Sequence, residues 1–134
     1  MKLFIADDSI ILQDRLTEML SDIENLEIVG TAVNSLDAYK KIELSKPDII
    51  ITDIRMPGGG GIELAEYIHH KHPEIVLIVY TNYTYPQYLT KAKAIGVNYF
   101  FHKTTQAEEL YQTINMLCNK NDFLKKELNT IDEN

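Results

Sequence analysis

The chain has 134 residues, of which 45% are hydrophobic, enough to form one full core. Thirteen Lys and Arg stand against 20 Asp and Glu, and the net charge of −7 opposes attraction to nucleic acid or to an anionic membrane surface. No stretch approaches the roughly 20 apolar residues that span a bilayer, and the N-terminal MKLFIADDSI turns acidic too early for a signal peptide. We therefore expect one cytoplasmic domain with no direct nucleic-acid or membrane partner.

Five apolar segments typical of strands alternate with five helical patterns along the chain. The predicted strands are Lys2 to Ala6, Glu27 to Ala32, Asp48 to Thr52, Ile75 to Tyr80 and Asn98 to His102. Asp8 or Ser9 can cap the first helix, and Asn34 or Ser35 the second. Five β-α units predict a parallel sheet covered by helices on both faces. With right-handed crossovers, the expected α/β fold is the flavodoxin-like (βα)5 doubly wound sandwich, a five-stranded parallel sheet of order 2-1-3-4-5.

Polar residues stand at the carboxyl ends of four of the five predicted strands. Asp7 and Asp8 follow the first strand, Asp53 the third, Thr81 the fourth and Lys103 the fifth. In a parallel sheet these ends share one edge, where ligands of such folds bind. Two like charges about 4 Å apart repel by roughly 4 kcal/mol at an effective dielectric near 20, so three converging carboxylates need a cation. Mg²⁺ suits such an all-oxygen site and is the predicted cofactor.

Metal, lysine and hydroxyl around a carboxylate are the components of phosphoryl transfer, in which catalysis is mostly positioning and neutralisation of charge. A carboxylate can itself be the nucleophile and form an aspartyl phosphate. Asp53 is the best candidate because it stands alone after the central strand, whereas the adjacent Asp7 and Asp8 suit metal binding. Asp also follows strands because it caps helices and favours turns, but this explains poorly why functional groups end four strands at once.

The loop after Asp53 contains four consecutive glycines, Gly58 to Gly61. Glycine adopts backbone angles that other residues avoid and lets two backbone segments approach closely. We expect both properties beside the site.

These residues, in this order and at these separations, resemble the receiver domain of two-component response regulators. The similarity covers about residues 1 to 118 and is carried by IADDS, DIRMPGGGGIEL, VYTN and GVNYFFHK. It implies a receiver domain over residues 1–119 and a polar or amphipathic C-terminal tail, or helix extension, over residues 120–134.

The resemblance implies a phospho-acceptor at Asp53. It also implies Mg²⁺ bound by Asp8, Asp53 and the backbone carbonyl of Arg55, with Asp7 assisting through water. A magnesium site and a nucleophile would then share one carboxylate.

By the same resemblance, Thr81 hydrogen-bonds one phosphoryl oxygen and Lys103 ion-pairs with another. The resemblance also implies a switch formed by Thr81 and Phe100, in which the aromatic ring of Phe100 changes rotamer. Thr104 follows Lys103 where the family usually has proline. A cis peptide costs about 2.5 to 4 kcal/mol without proline, so the isomer of the Lys103–Thr104 peptide stays open.

The function implied is a single-domain response regulator. It would accept a phosphoryl group from a sensor histidine kinase or a histidine phosphotransfer protein and signal by phosphorylation-dependent docking to a downstream protein. It would not be an enzyme beyond its own phosphorylation and dephosphorylation.

Three alternatives differ in function. The first is a phosphate shuttle or sink in a phosphorelay. The second is a Mg²⁺-dependent phosphohydrolase, which usually needs two aspartates two positions apart and a substrate cap; here Asp7 and Asp8 are adjacent, and 134 residues leave little room for a cap. The third, a degenerate receiver used as an adaptor, fits poorly with an intact set of five site residues.

Apolar residues near the C-terminus follow the spacing of a coiled-coil seam. The positions are Leu110, Ile114, Leu117, Asn121, Leu124, Leu128 and Ile131. One interpretation is a homodimer through this tail. The other is a separate short helix that folds back, with Asn121 or Asp122 as its cap.

Overall fold

The structure is a computed structural model that describes residues 1–120, and these residues contain five strands alternating with five helices. The strands are β1 (Lys2–Ala6), β2 (Glu27–Ala32), β3 (Ile49–Thr52), β4 (Val76–Thr81) and β5 (Tyr99–His102). The helices are α1 (Ile10–Leu20), α2 (Ser35–Ser45), α3 (Gly60–Lys71), α4 (Pro86–Ala94) and α5 (Ala107–Cys118). The residues from 121 onward, which carry most of the predicted tail, lie outside the described residues.

Three strands begin one residue later than the sequence pattern predicts. Asp48 precedes β3, and its Oδ2 accepts a hydrogen bond of 2.7 Å from the backbone N–H of Lys2. Asn98 precedes β5, and its Oδ1 accepts one of 2.8 Å from Leu77 N–H. Polar side chains thus satisfy neighbouring backbone groups at these strand ends, as capping residues do in loops.

All strand pairs are parallel, and the strand order is β2-β1-β3-β4-β5. The predicted flavodoxin-like sandwich is confirmed. The central strand β3 is buried along its whole length, which explains its continuous isoleucine run, because a strand covered on both faces shows no polar alternation. The residue after β3 therefore emerges in the middle of the sheet edge.

Alternate strand residues point to opposite faces of the sheet and form two apolar layers. Leu3, Ile5, Ile49, Ile51 and Ile78 pack with residues of α1 and α5. Phe4, Ala6, Ile50 and Leu77 pack with residues of α2 and α3. Burial of each large aliphatic side chain contributes about 1.5 to 3 kcal/mol, so these two layers hold the sheet edge in place.

Side chains cap the first two helices beside the same edge. Ser9 Oγ accepts a hydrogen bond of 3.2 Å from Leu12 N–H, and Asn34 Oδ1 accepts one of 2.8 Å from Asp37 N–H. Because Ser9 caps α1, the Asp8 side chain is not used for this purpose and is exposed. Within residues 1–120, none of the helices combines the length and apolar character that a membrane crossing requires.

Candidate functional site

Three carboxylates meet where β1 and β3 end side by side. Asp7, Asp8 and Asp53 each offer an oxygen, and these oxygens lie within 4.8 Å of one another. Asp7 and Asp53 are buried, whereas Asp8 is exposed. A cluster of oxygens that is open to water on one side fits a hard divalent cation such as Mg²⁺, which keeps several waters. The three predicted carboxylate ligands are therefore close enough together to act as one site.

Lys103 provides the balancing positive charge within this cluster. Its Nζ lies 2.6 Å from Oδ2 of Asp7 and 2.6 Å from Oδ2 of Asp53. Burial lowers the pKa of Lys103, but the hydrogen bonds to Asp53 and Asp7 outweigh it, and the net pKa is raised. Burial raises the pKa of Asp7 even though Lys103 opposes the change. Lys103 is therefore charged at neutral pH and offsets part of the carboxylate charge.

Backbone N–H groups orient the two buried carboxylates. Asp7 Oδ1 accepts a hydrogen bond of 2.9 Å from Ser9 N–H, and Asp53 Oδ1 accepts one of 2.7 Å from Ile54 N–H. Each carboxylate thus has one oxygen bonded to the backbone and the other in contact with Lys103. The site is held in one arrangement by the turns that follow β1 and β3.

Gln13 contacts the backbone of the site, and the sequence pattern had predicted no role for it. Its Nε2 donates hydrogen bonds to the carbonyl oxygens of Asp7, at 2.7 Å, and Ala32, at 2.9 Å. The side chain is buried and ties the end of β1 to the end of β2. A signal was present in the sequence, because Gln13 is a polar residue within the buried stripe of α1, near Leu16.

Thr81 lies at the end of β4 and is fully buried. Its Oγ1 accepts a hydrogen bond of 3.0 Å from Tyr83 N–H, and its carbonyl oxygen accepts one of 3.0 Å from Lys103 N–H. The predicted hydroxyl and ammonium residues are therefore joined directly through the backbone. The hydroxyl keeps its own proton for donation.

Phe100, the predicted switch residue, is partly buried on the α4 side of the sheet. It packs against an apolar cluster that includes Val79 and Ala92, with Tyr88 beside it. Its ring is thus placed between β5 and α4, close to the loop that follows Thr81.

Arg55 contributes a side-chain contact that the sequence interpretation did not include, since that interpretation used only its backbone carbonyl. Its guanidinium carbon lies 4.1 Å from the centre of the Tyr83 ring, and Nη2 is 3.5 Å from the Tyr88 hydroxyl. Beside it, a cavity of about 500 Å³ is lined by Asp8, Arg55, Tyr88 and Lys91 among other residues. Arg55 therefore connects the loop after β3 to the loop and helix after β4.

The four glycines form the start of α3 and the turn before it. Gly58, Gly59 and Gly60 have φ values of 89°, 121° and 84°, which side chains disfavour. Gly61 donates a hydrogen bond of 2.7 Å from its N–H to the carbonyl oxygen of Ile54. The expectation of unusual backbone angles and close backbone approach is confirmed.

The peptide bonds of residues 1–120 are all trans, including the Lys103–Thr104 peptide that the sequence left open. Thr104 Oγ1 donates a hydrogen bond of 3.2 Å to Oδ1 of Asn82. A side-chain contact thus joins the loops that follow β4 and β5.

The family model of the response regulator receiver domain matches residues 3–115 of this chain. The chain therefore belongs to the response regulator receiver domain family.

Solved structures of this family share the fold. A DNA-binding response regulator of the LuxR family from Staphylococcus aureus is 36% identical, with a TM-score of 0.80, and the match covers 88% of this chain and 98% of that chain. The response regulator domain of Thermotoga maritima CheB is 27% identical, also with a TM-score of 0.80, over 89% of this chain and 96% of that one.

Among curated relatives, the response regulator GacA of Pseudomonas syringae is 29% identical over 116 residues, which is 87% of this chain and 54% of GacA. The chain spans about half the length of the first curated relatives that it matches. The shared part is the receiver domain.

Proposed function

We propose that Asp53 accepts a phosphoryl group in a Mg²⁺-dependent reaction and that the phosphorylated chain signals by docking to another protein. The observation that carries the proposal is the convergence of three carboxylates and one ammonium at the centre of the sheet edge. Membership of a phosphoryl-accepting signalling family supports it. The same membership fits a protein that catalyses only its own phosphorylation and dephosphorylation.

In the proposed reaction, an oxygen of Asp53 attacks the phosphorus of the donor. A bond forms between that oxygen and phosphorus, and the bond to the donor's leaving group breaks, with its electron pair departing on that group. Ile54 N–H holds the other carboxylate oxygen and so orients the nucleophile. Positioning of this kind is the main contribution that a protein makes to phosphoryl transfer.

Asp8, Asp53 and the backbone carbonyl of Arg55 would hold Mg²⁺, with Asp7 assisting through water. When bound, Mg²⁺ neutralises charge on the phosphoryl oxygens. Lys103, already in contact with Asp53, would pair with one of these oxygens. Thr81 would donate its hydroxyl proton to another, since the Tyr83 N–H occupies only an acceptor position of the hydroxyl.

The phosphoryl group adds about −1.5 to −2 charge beside Thr81 and Lys103. Movement of these residues toward it would alter the surface that carries Phe100 and α4, where a downstream protein would dock. The proposed donors are a sensor histidine kinase or a histidine phosphotransfer protein, and the proposed location is the cytoplasm.

Mass spectrometry after incubation with phosphoramidate and Mg²⁺ tests the acceptor. We expect the mass of one phosphoryl group to be added, and we expect Asp53→Asn or chelation of Mg²⁺ to prevent it. Asp14→Asn is the matched control, because Asp14 is exposed on α1 and outside the cluster. An Asp53→Asn chain that gains the same mass would contradict the assignment.

A further inference from the structure

The turn that carries Lys103 is closed by two reciprocal hydrogen bonds. His102 N–H donates to Oε1 of Gln106 at 2.8 Å, and Gln106 N–H donates to the carbonyl oxygen of His102 at 2.9 Å. The last residue of β5 and the residue before α5 are thereby held together. Lys103 lies in the short turn between them.

The imidazole ring of His102 contacts the two residues that follow Lys103. Its Nδ1 accepts a hydrogen bond of 3.2 Å from the backbone N–H of Thr104, and the hydroxyl of Thr105 lies 3.3 Å from the same nitrogen. A backbone N–H can only donate. This contact therefore requires the tautomer in which Nδ1 is the acceptor and the ring proton is on Nε2.

This contact gives the backbone N–H of Thr104 an acceptor within the turn. Proline, which the family usually has after the lysine, has no N–H, whereas Thr104 has one. Thr104 is exposed, so water is the alternative partner of its N–H, and the His102 ring provides an intramolecular partner from two residues earlier in the chain.

Both backbone groups of Lys103 are bonded to residues of β4. Lys103 N–H donates to the carbonyl oxygen of Thr81 at 3.0 Å, and the Tyr80 hydroxyl donates to the carbonyl oxygen of Lys103 at 3.1 Å. The strand thus fixes one side of the turn and the His102 ring fixes the other. The ammonium of Lys103 reaches its position between the two carboxylates from this frame.

We propose that His102 is a positioning residue for Lys103. Its ring nitrogen Nδ1 holds the turn that places the ammonium against Asp7 and Asp53, and it thereby sets the rate at which Asp53 is phosphorylated. The kinetic part rests on the proposed function, whereas the placement of Lys103 does not.

Two variants separate the acceptor from the ring. His102→Asn keeps an acceptor, because the side-chain oxygen of Asn bonds the backbone N–H two residues later in turns. His102→Leu keeps side-chain volume but has no acceptor. His70→Leu is the matched control, since His70 is exposed on α3 and far along the chain from the turn. Urea unfolding and amide spectra establish that each variant is folded.

The first measurement is the rate of mass gain with phosphoramidate and Mg²⁺. We expect His102→Leu to be slower by about 2- to 10-fold, the factor for loss of one neutral hydrogen bond. We expect His102→Asn and His70→Leu to keep the parent rate. A His102→Leu chain as fast as the parent, or a His102→Asn chain as slow as His102→Leu, would overturn the proposal.

The second measurement is nuclear magnetic resonance of the unphosphorylated chain, which does not depend on the proposed function. Imidazole nitrogen shifts of the parent should place the proton on Nε2. The side-chain carboxyl carbons of Asp7 and Asp53, which contact the Lys103 ammonium, should shift in His102→Leu but not in His102→Asn. A proton on Nδ1, or unmoved carboxyl carbons of Asp7 and Asp53 in His102→Leu, would overturn the positioning role. A parent chain that gains no mass would instead refute the proposed function, and these spectra would still decide the position of Lys103.

Discussion

A Cβ atom at Gly61 would overlap the backbone carbonyl oxygen of Asp53. The first turn of α3 therefore lies directly against the backbone of the proposed acceptor. No side chain fits between them, so α3 can begin here only with glycine at this position. Gly61 is therefore needed for close packing against the backbone of Asp53, and not only for unusual backbone angles.

Gly61→Ala should reduce the free energy of unfolding by about 1 to 3 kcal/mol, the usual cost of forcing an atom into an occupied space. Gly58→Ala is the comparison, because its φ of 89° is strained for alanine while its nearest neighbours are 3.7 Å from the added Cβ. It should lose only about 1 kcal/mol, the low end of the cost of left-handed backbone for a residue with a side chain. Urea unfolding measures both, and equal losses would show that α3 shifts to relieve the overlap.

Lys103→Met should be less stable than the parent at pH 7 without divalent metal. The loss should be about 3 kcal/mol, the low end for breaking a buried ion pair, because the cluster is open to water at Asp8. Lys93→Met, at an exposed position of α4, is the control.

The difference between parent and Lys103→Met should depend on pH in a defined direction. Burial raises the pKa of Asp7, and loss of the ammonium raises it further, so the folded variant binds a proton before the unfolded chain does. The variant should therefore gain stability as the pH falls from 7 toward about 4. The raised pKa of Lys103 means that its contribution in the parent is fully present below about pH 10.4 and is lost above it. If the stability difference between parent and Lys103→Met stays constant both below pH 7 and above about pH 10.4, the ion pair is contradicted.

Mg²⁺ should stabilise the folded chain. A ligand at 100 times its Kd that binds only the folded state adds about 2.7 kcal/mol to the free energy of unfolding. Asp8→Ala should remove most of this increase, whereas Asp14→Ala, at an exposed position of α1, should keep it.

The effect of Asp8→Ala on the free energy of unfolding should change sign between buffers without and with Mg²⁺. In EDTA the variant should be at least as stable as the parent, because one of three mutually repelling carboxylates is gone. In Mg²⁺ the parent should be the more stable chain. Thermal unfolding in both buffers measures this, and a variant that is less stable in EDTA as well would show that Asp8 supports the fold in another way.

The sheet edge could be predicted because the signals for it are local in sequence. Four of the five apolar runs are followed at once by a predicted site residue, as Asp53 follows β3, and parallel topology brings the strand ends together. The pairing of Lys103 with both Asp7 and Asp53 is different, since these residues stand 96 and 50 positions before Lys103 and only the folded chain defines their distance from it. The hydrogen bonds of Gln13 and the stacking of Arg55 were not predicted for the same physical reason. Each is a contact between separate segments, and the sequence pattern of one segment does not show where the other lies.

The coiled-coil pattern near the C-terminus is partly used by the domain itself. Leu110 and Ile114 are 0% exposed, and Leu117 packs partly buried against the same apolar layer. These three positions therefore serve the sheet and are not free to contact a second chain. Only the later apolar positions, Leu124, Leu128 and Ile131, remain for a partner, and they lie outside the described residues.

We therefore expect the full chain and a form ending at Asn119 to sediment with the mass of a monomer, because a seam of three apolar positions is marginal by itself. The shortened form keeps the contacts that anchor the end of α5. Asn119 Nδ2 donates to the carbonyl oxygen of Glu24 at 3.1 Å, and Asn25 Nδ2 donates to Asn119 Oδ1 at 2.8 Å. A difference in mass would then come from the tail and not from a loosened α5. A full chain that sediments as a dimer, together with a monomeric shortened form, would establish dimerisation through the tail instead.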